Sequence, residues 1–69
     1  IGDIEEGATV ASKGNVIVTG TIYGTVIAGA SGRRDAVIAA LRMQPKKLRI
    51  GEVKVKPVIG GSYSWAKLL

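Results

Sequence analysis

The spacing of glycines in the first half of the chain is the feature that most constrains its fold. Seven of the ten glycines fall within the first 32 residues, at intervals of three to seven: Gly2, Gly7, Gly14, Gly20, Gly24, Gly29 and Gly32. The runs between them, such as residues 15–19 and 25–28, suit one short strand and are too short for a repeating helix. Because glycine adopts the positive φ that sharp corners need, this rhythm predicts a β-helix or solenoid. Such folds usually present surfaces to other macromolecules, which favours a binding partner over a substrate.

Alternation within these runs predicts which side chains form the core. In residues 16–18, Val16 and Val18 face one side and Ile17 the other. The inward positions assigned in this way are Val16, Val18, Ile22, Val26, Ala28, Leu48, Ile50, Val53 and Val55. Three apolar residues alternate outward, namely Ile17, Tyr23 and Ile27, and stacked strands would place them in one exposed strip. Exposed apolar strips usually mark interfaces, so we predict that this strip helps to form a homodimer.

Two segments leave alternatives open at this point. Residues 35–43 fit a helix capped by Ser31, and they fit equally well one more strand followed by a corner at Gln44-Pro45. The tail, residues 62–69, contains the only tryptophan, Trp65. We expect this tail to cover the open end of a solenoid, since terminal coils need a cap. The alternative is that it docks on a partner.

The charge of the chain is unevenly placed. Residues 1–32 have a net charge of −2, whereas residues 33–69 carry nine Lys or Arg against Asp35 and Glu52, a net of +7. A basic half suits an acidic protein, an anionic membrane or nucleic acid, or it simply solvates the surface. No aromatic residues interleave with the cations between Arg33 and Arg49, which argues against stacking on single-stranded nucleic acid. The candidate partner-binding residues are Arg33, Arg34, Lys46 and Lys47.

Composition excludes most catalytic chemistry. The chain has no His and no Cys, which removes Ser-His and Cys-His catalysis, disulfides and ordinary zinc sites. The segment 29–34 lacks the spacing of a phosphate-binding loop, and the carboxylates Asp3, Glu5 and Glu6 fit a solvated corner. No apolar run reaches membrane-spanning length. We therefore predict no enzyme, no catalytic residue, no cofactor and no metal site.

Residues 14–24, from Gly14-Asn15 through Gly20 to Gly24, resemble two β-helical families. One is the bactofilins, bacterial scaffolds that polymerise, and the other is the carboxy-terminal domain of MinC, the inhibitor of bacterial septum formation. The flanking residues are similar to MinC: Gly7-Ala8 and Val10-Ala11 upstream, then Ala28-Gly29-Ala30-Ser31-Gly32, Ala36 to Leu41, Pro45 and Leu48-Arg49-Ile50 downstream. This resemblance covers residues 2–52.

The resemblance to MinC implies a short right-handed β-helix of triangular cross-section, in which residues 36–42 form a strand. It implies a single domain over residues 1–69, expected to be a fragment, since the family's Arg-Ser-Gly-Gln motif for MinD binding lies upstream of Gly2. Tyr23 and Thr25 replace basic residues of the family.

The function implied is inhibition of cell division by a homodimer that binds the membrane-associated ATPase MinD and the division protein FtsZ. The implied location is the cytoplasm, with recruitment to the membrane only through MinD. The alternative is a bactofilin-like scaffold that polymerises through its coil ends. A hexapeptide acyltransferase is a weaker third candidate, because those enzymes need a catalytic His that this chain lacks.

Overall fold

The computed structural model describes residues 2–68, which form eight strands in two four-stranded sheets and contain no helix. Leu69, the last residue of the predicted tail, lies outside the described residues, as does Ile1. The strands are β1 (Thr9–Ala11), β2 (Val16–Ile22), β3 (Thr25–Ala28), β4 (Val37–Met43), β5 (Lys47–Ile50), β6 (Val53–Val55), β7 (Val58–Ile59) and β8 (Ser64–Lys67). The predicted all-β class is confirmed.

The first sheet has the order β1-β3-β5-β6. Parallel pairing joins β1 to β3 and β3 to β5, so that Val10, Val26 and Leu48 occupy equivalent places in successive strands. The chain then reverses at Gly51, whose φ of 62° is in the left-handed region that glycine tolerates. Strand β6 returns antiparallel to β5 and ends the sheet.

The second sheet has the order β2-β4-β8-β7. It decides between helix and strand for the segment 35–43, which composition left open. Residues 37–43 form a strand parallel to β2, as the family resemblance implies, and no helix. The register between β2 and β4 shifts by one residue between Val18 and Thr21, which marks a bulge near Gly20. The pairing with β2 stabilises β4 as a strand, because it buries Ile38 and Ala40 against the core.

The core lies between the two sheets. It consists of Ile4, Val16, Val18, Ile22, Val26, Ala28, Ala36, Ile38, Ala40, Met43, Leu48, Ile50 and Ala66. The predicted inward positions on β2, β3 and β5 are all buried, so that prediction is confirmed. Val53 and Val55 are only half-buried, because β6 lies at the edge of its sheet. Burial of each Val or Ile contributes roughly 1.5–3 kcal/mol.

Two polar side chains near the chain start bind backbone groups of distant strands. The Asp3 Oδ1 atom accepts a hydrogen bond of 2.7 Å from the Thr21 backbone N–H, beside the β2 bulge. The Asn15 Oδ1 atom accepts one of 2.8 Å from the Val37 backbone N–H, where β4 begins. The interpretation of Asp3 as part of a solvated corner was therefore incomplete, because its carboxylate satisfies a donor that the bulge leaves unpaired in the ladder.

The tail folds back onto the second sheet. Strand β8 pairs antiparallel with the first half of β4, and β7 pairs with β8 in turn. Ala66 is fully buried, and Ser64 is 3% exposed. The tail thus covers an edge of β4 that would otherwise offer unpaired backbone groups. That this edge is the open end of a solenoid stays a prediction.

Gly29 is the corner whose replacement should cost most. Its φ is +59°, and a Cβ atom there would meet the Arg33 carbonyl oxygen in the turn before β4. We expect Gly29→Ala to lower the free energy of unfolding by about 1–3 kcal/mol, through strain in the left-handed region and displacement of that turn. Thermal unfolding followed by circular dichroism measures this. Gly14→Ala is the control, because nothing lies within 4 Å of a Cβ there. Equal melting temperatures for the two variants would contradict the expectation.

Candidate interaction surfaces

A row of apolar side chains crosses the outer side of the second sheet. The register aligns Ile17 of β2 with Ala39 of β4, Ala39 with Trp65 of β8, and Trp65 with Val58 of β7. Ile17, Ala39 and Trp65 each lie between two buried residues of their strand, so they face away from the core, and Val58 pairs beside Trp65. We define the apolar face as this row with two neighbours: Ile17, Ala39, Leu41, Val58, Tyr63 and Trp65.

The apolar face is continuous and well exposed. Ile17 is 56% exposed, Leu41 55% and Tyr63 53%. Ile17, Leu41 and Tyr63 line one shallow depression over Ala39, and Trp65 joins Tyr63 and Ala39 in a second depression. Because Ala39 is small, it leaves a trough between the larger side chains. Large exposed apolar surfaces of this kind mark sites of protein association.

A cation borders the apolar face. The Lys67 Nζ atom lies 5.7 Å from the centroid of the Trp65 ring, within the range of a cation–π contact, worth about 0.5–1 kcal/mol at an exposed site. This contact favours the position of the indole that the structure shows. A rigid aromatic side chain loses little conformational entropy when a partner covers it, which suits an interface.

The structure separates the three residues of the predicted strip. Ile17 belongs to the apolar face, but Ile27 lies on the first sheet between Ala11 and Arg49. Tyr23 occupies the corner between β2 and β3, where its backbone N–H donates to the Ile4 carbonyl. The three therefore do not form one surface within a single chain. Their role in dimerisation stays a prediction.

Sequence reasoning missed most of the apolar face. Ala39 and Leu41 became recognisable only once residues 37–43 were assigned to a strand, because they then alternate with Ile38 and Ala40. Tyr63 and Trp65 were assigned to the tail alone. Nothing in the linear sequence indicates that β8 pairs beside β4.

The predicted basic residues fall in two places. Arg33 and Arg34 occupy the turn before β4, and Lys46 and Lys47 lie where β5 begins. The Arg33 Nε atom donates to Asp35 Oδ1 at 2.8 Å, the only ion pair found among residues 2–68. This hydrogen bond and the charge of its partner raise the pKa of Arg33 and lower the pKa of Asp35. Since both groups are exposed, solvent screens the pair and it adds little stability.

Three further cations lie beside Lys46 and Lys47. Arg49 follows on β5, and its direct partner on β6 is Lys54. Lys56 lies just beyond β6 and lines a shallow depression together with Lys46, Lys47 and Lys54. We call this set the basic face: Lys46, Lys47, Arg49, Lys54 and Lys56. None of its members forms an ion pair within the described part of the chain.

Residues 2–68 contain no group of three or more acidic, His or Cys side chains able to hold a metal ion. None of the described segments is a helix with the length and apolar character needed to cross a membrane. What the described geometry offers is two different surfaces, one apolar and one basic, on the two sheets.

Comparison with known proteins finds a matching family for the chain. The family model for the C-terminal domain of the septum formation inhibitor MinC matches residues 1–59. A septum site-determining protein MinC from Acetivibrio thermocellus is 47% identical over 57 residues, which cover 83% of this chain and 25% of that protein. The corresponding protein from Persephonella marina is 52% identical over 50 residues, which cover 72% of this chain and 25% of the relative. The chain thus spans about a quarter of the length of these relatives.

A solved structure shares the fold. A chain of the MinC:MinD cell division protein complex from Aquifex aeolicus matches with a TM-score of 0.61 and 24% sequence identity. The match covers 99% of this chain and 74% of that one. At this level of identity the likeness describes the fold alone.

Proposed function

Because the chain belongs to the MinC C-terminal domain family, we propose that it serves a bacterial inhibitor of septum formation by assembling proteins and not by catalysis. Its membership confirms the expectation drawn from residues 2–52. In this proposal the domain forms a homodimer, binds MinD and FtsZ, and helps to prevent septum formation at the wrong site. It works in the cytoplasm and reaches the membrane through MinD.

The observation that carries the proposal is the apolar face. A chain of 69 residues buries a smaller share of its surface than a larger domain, so covering an apolar sheet face adds considerably to its stability. Two copies related by a twofold axis would place the same face against itself, which is the commonest arrangement of homodimers. Trp65 and Tyr63 would supply the large aromatic contacts that dominate such interfaces.

The proposal includes the path of the chain, a short right-handed β-helix of triangular cross-section over its first three quarters. Three sets of contacts support this path. Strands β1, β3 and β5 stack in parallel, as do β2 and β4. Ile4 forms a parallel bridge with Ile22. Successive corners also lie one above another, since the Thr25 N–H donates to Ala8 and the Lys46 N–H donates to Gly24, each at 3.0 Å.

The proposal assigns partners to the two surfaces. Self-association uses the apolar face, which shares Ile17 with the predicted strip. The other two residues of the strip, Tyr23 and Ile27, are further candidates for this interface. Contacts with acidic surface on MinD or FtsZ use Arg33, Arg34, Lys46 and Lys47. The solved relative is a complex of MinC with MinD, which supports MinD as the first partner to test. Rim charges of this kind mainly raise association rates.

Sedimentation tests the proposed function. The chain is centrifuged at several concentrations, alone and with Aquifex aeolicus MinD and ATP. We expect a discrete dimer that sediments with MinD when ATP is present. An open-ended polymer that ignores MinD would instead support the bactofilin-like scaffold. A monomer at every concentration would contradict dimerisation.

A further inference from the structure

The basic face concentrates charge at one edge of the first sheet. Its side chains come from two adjacent antiparallel strands and the residues that flank them, and Arg49 lies directly opposite Lys54. Like charges placed opposite each other destabilise a sheet. The one carboxylate on this hairpin, Glu52, lies in its turn, at the end away from Lys46 and Lys56. The free chain therefore leaves this cluster of cations without a neutralising partner.

One side-chain atom of Arg49 also lacks a partner. Its Nε atom is buried and has no hydrogen-bond partner. A buried donor without an acceptor is unfavourable, and an anionic oxygen is the strongest acceptor for a guanidinium. The half-buried Arg49 thus adds, independently of the charge count, a donor without a protein acceptor to this face.

We propose that the basic face binds directly to the anionic phospholipid headgroups of a bilayer. Clusters of four to eight Lys and Arg are typical of surfaces that bind anionic lipid. Four of the five cations are lysines, which act as point charges and lack the fork that recognises individual carboxylates in an acidic peptide. Strands β5 and β6 offer a broad surface with no deep pocket, which suits a diffuse layer of charge. This inference goes beyond the proposed function, in which the membrane is reached only through MinD.

The position of the basic face allows the chain to dimerise and to bind lipid at the same time. It lies on the first sheet, whereas the apolar face lies on the second. A dimer formed through the apolar face would therefore keep two basic faces available. No aromatic side chain belongs to the basic face, so the contact is electrostatic and does not insert into the acyl region.

Vesicle co-sedimentation tests this inference with the 69-residue chain and without MinD. The vesicles are phosphatidylcholine with or without about one third phosphatidylglycerol. We expect binding only to the anionic vesicles at 0.1 M salt, and loss of binding at 0.5 M salt, where screening is stronger. Each cation near such a surface raises the partition coefficient roughly fivefold, so Lys47→Glu with Lys54→Glu should lower it about 25-fold or more.

A charge-matched control separates a defined face from net charge. Lys13→Glu with Arg42→Glu changes the formal charge equally, at exposed sites in the turn after β1 and on β4. Neither site belongs to the basic face, and Arg42 lies on a strand of the second sheet, so this variant should keep most of its affinity. Equal losses in both variants would overturn the proposal, because net charge alone would then explain binding. Failure of the parent to bind anionic vesicles while it binds a Glu-rich peptide would also overturn it, in favour of an acidic protein partner.

Discussion

Val18→Asp is expected to unfold the chain. Val18 is 2% exposed and belongs to the core, and it pairs with Ala40 on the neighbouring strand β4. The substitution removes a buried apolar side chain and places a carboxylate where the described core offers no cation. We expect a loss of roughly 4 kcal/mol or more in the free energy of unfolding. A domain this small lies toward the lower end of the usual 5–15 kcal/mol, so most molecules should be unfolded at 25 °C.

Circular dichroism and thermal unfolding at one fixed concentration measure this effect. Ala11→Asp is the matched control, because it introduces the same carboxylate at an exposed position of β1. That variant should keep the parent's β-sheet spectrum and melt within a few degrees of it. A soluble Val18→Asp chain with an unchanged melting temperature would show that Val18 does not face the core.

The second large effect concerns the apolar face. Ile17→Lys with Leu41→Lys should weaken the proposed dimer by on the order of 100-fold or more, because each ammonium would have to lose its water inside an apolar interface. The chain should stay folded, since both side chains are exposed. Analytical ultracentrifugation over a range of concentrations gives the dissociation constants. Because the interface is apolar, 0.5 M salt should change the parent's constant little.

A second double variant distinguishes the apolar face from the strip predicted by alternation alone. Tyr23→Lys with Ile27→Lys adds the same two charges at the members of that strip that lie off the second sheet. The apolar face predicts that this variant remains dimeric. If it dissociates while the Ile17 and Leu41 variant stays dimeric, the interface lies on the first sheet and its adjoining corner.

Local features of the sequence determined the strands and the core. Val16, Val18 and Ile22 were assigned inward because alternation has a period of two residues and holds in any sheet. Some glycines located corners for a similar local reason, as Gly29 and Gly51 show with their positive φ, whereas Gly20 lies inside β2 at its bulge and is not the predicted corner. The exclusion of catalysis that depends on His or Cys likewise needed only the sequence, because the chain contains neither residue. The family followed from the order of short motifs over residues 2–52.

Only the tertiary structure decided which outward residues become neighbours. By composition alone residues 35–43 suited a helix or a strand, and only the family resemblance favoured the strand; pairing with β2 supplies the partner that an isolated segment lacks. Ile17, Ala39 and Trp65 are far apart in sequence, and they adjoin because the register of β4 with β2 and β8 brings them together. Arg49 meets Lys54 for the same reason. Alternation determines the side of the sheet to which each side chain points. Its neighbours are set by the register between distant strands, and that register depends on the packing of the whole core.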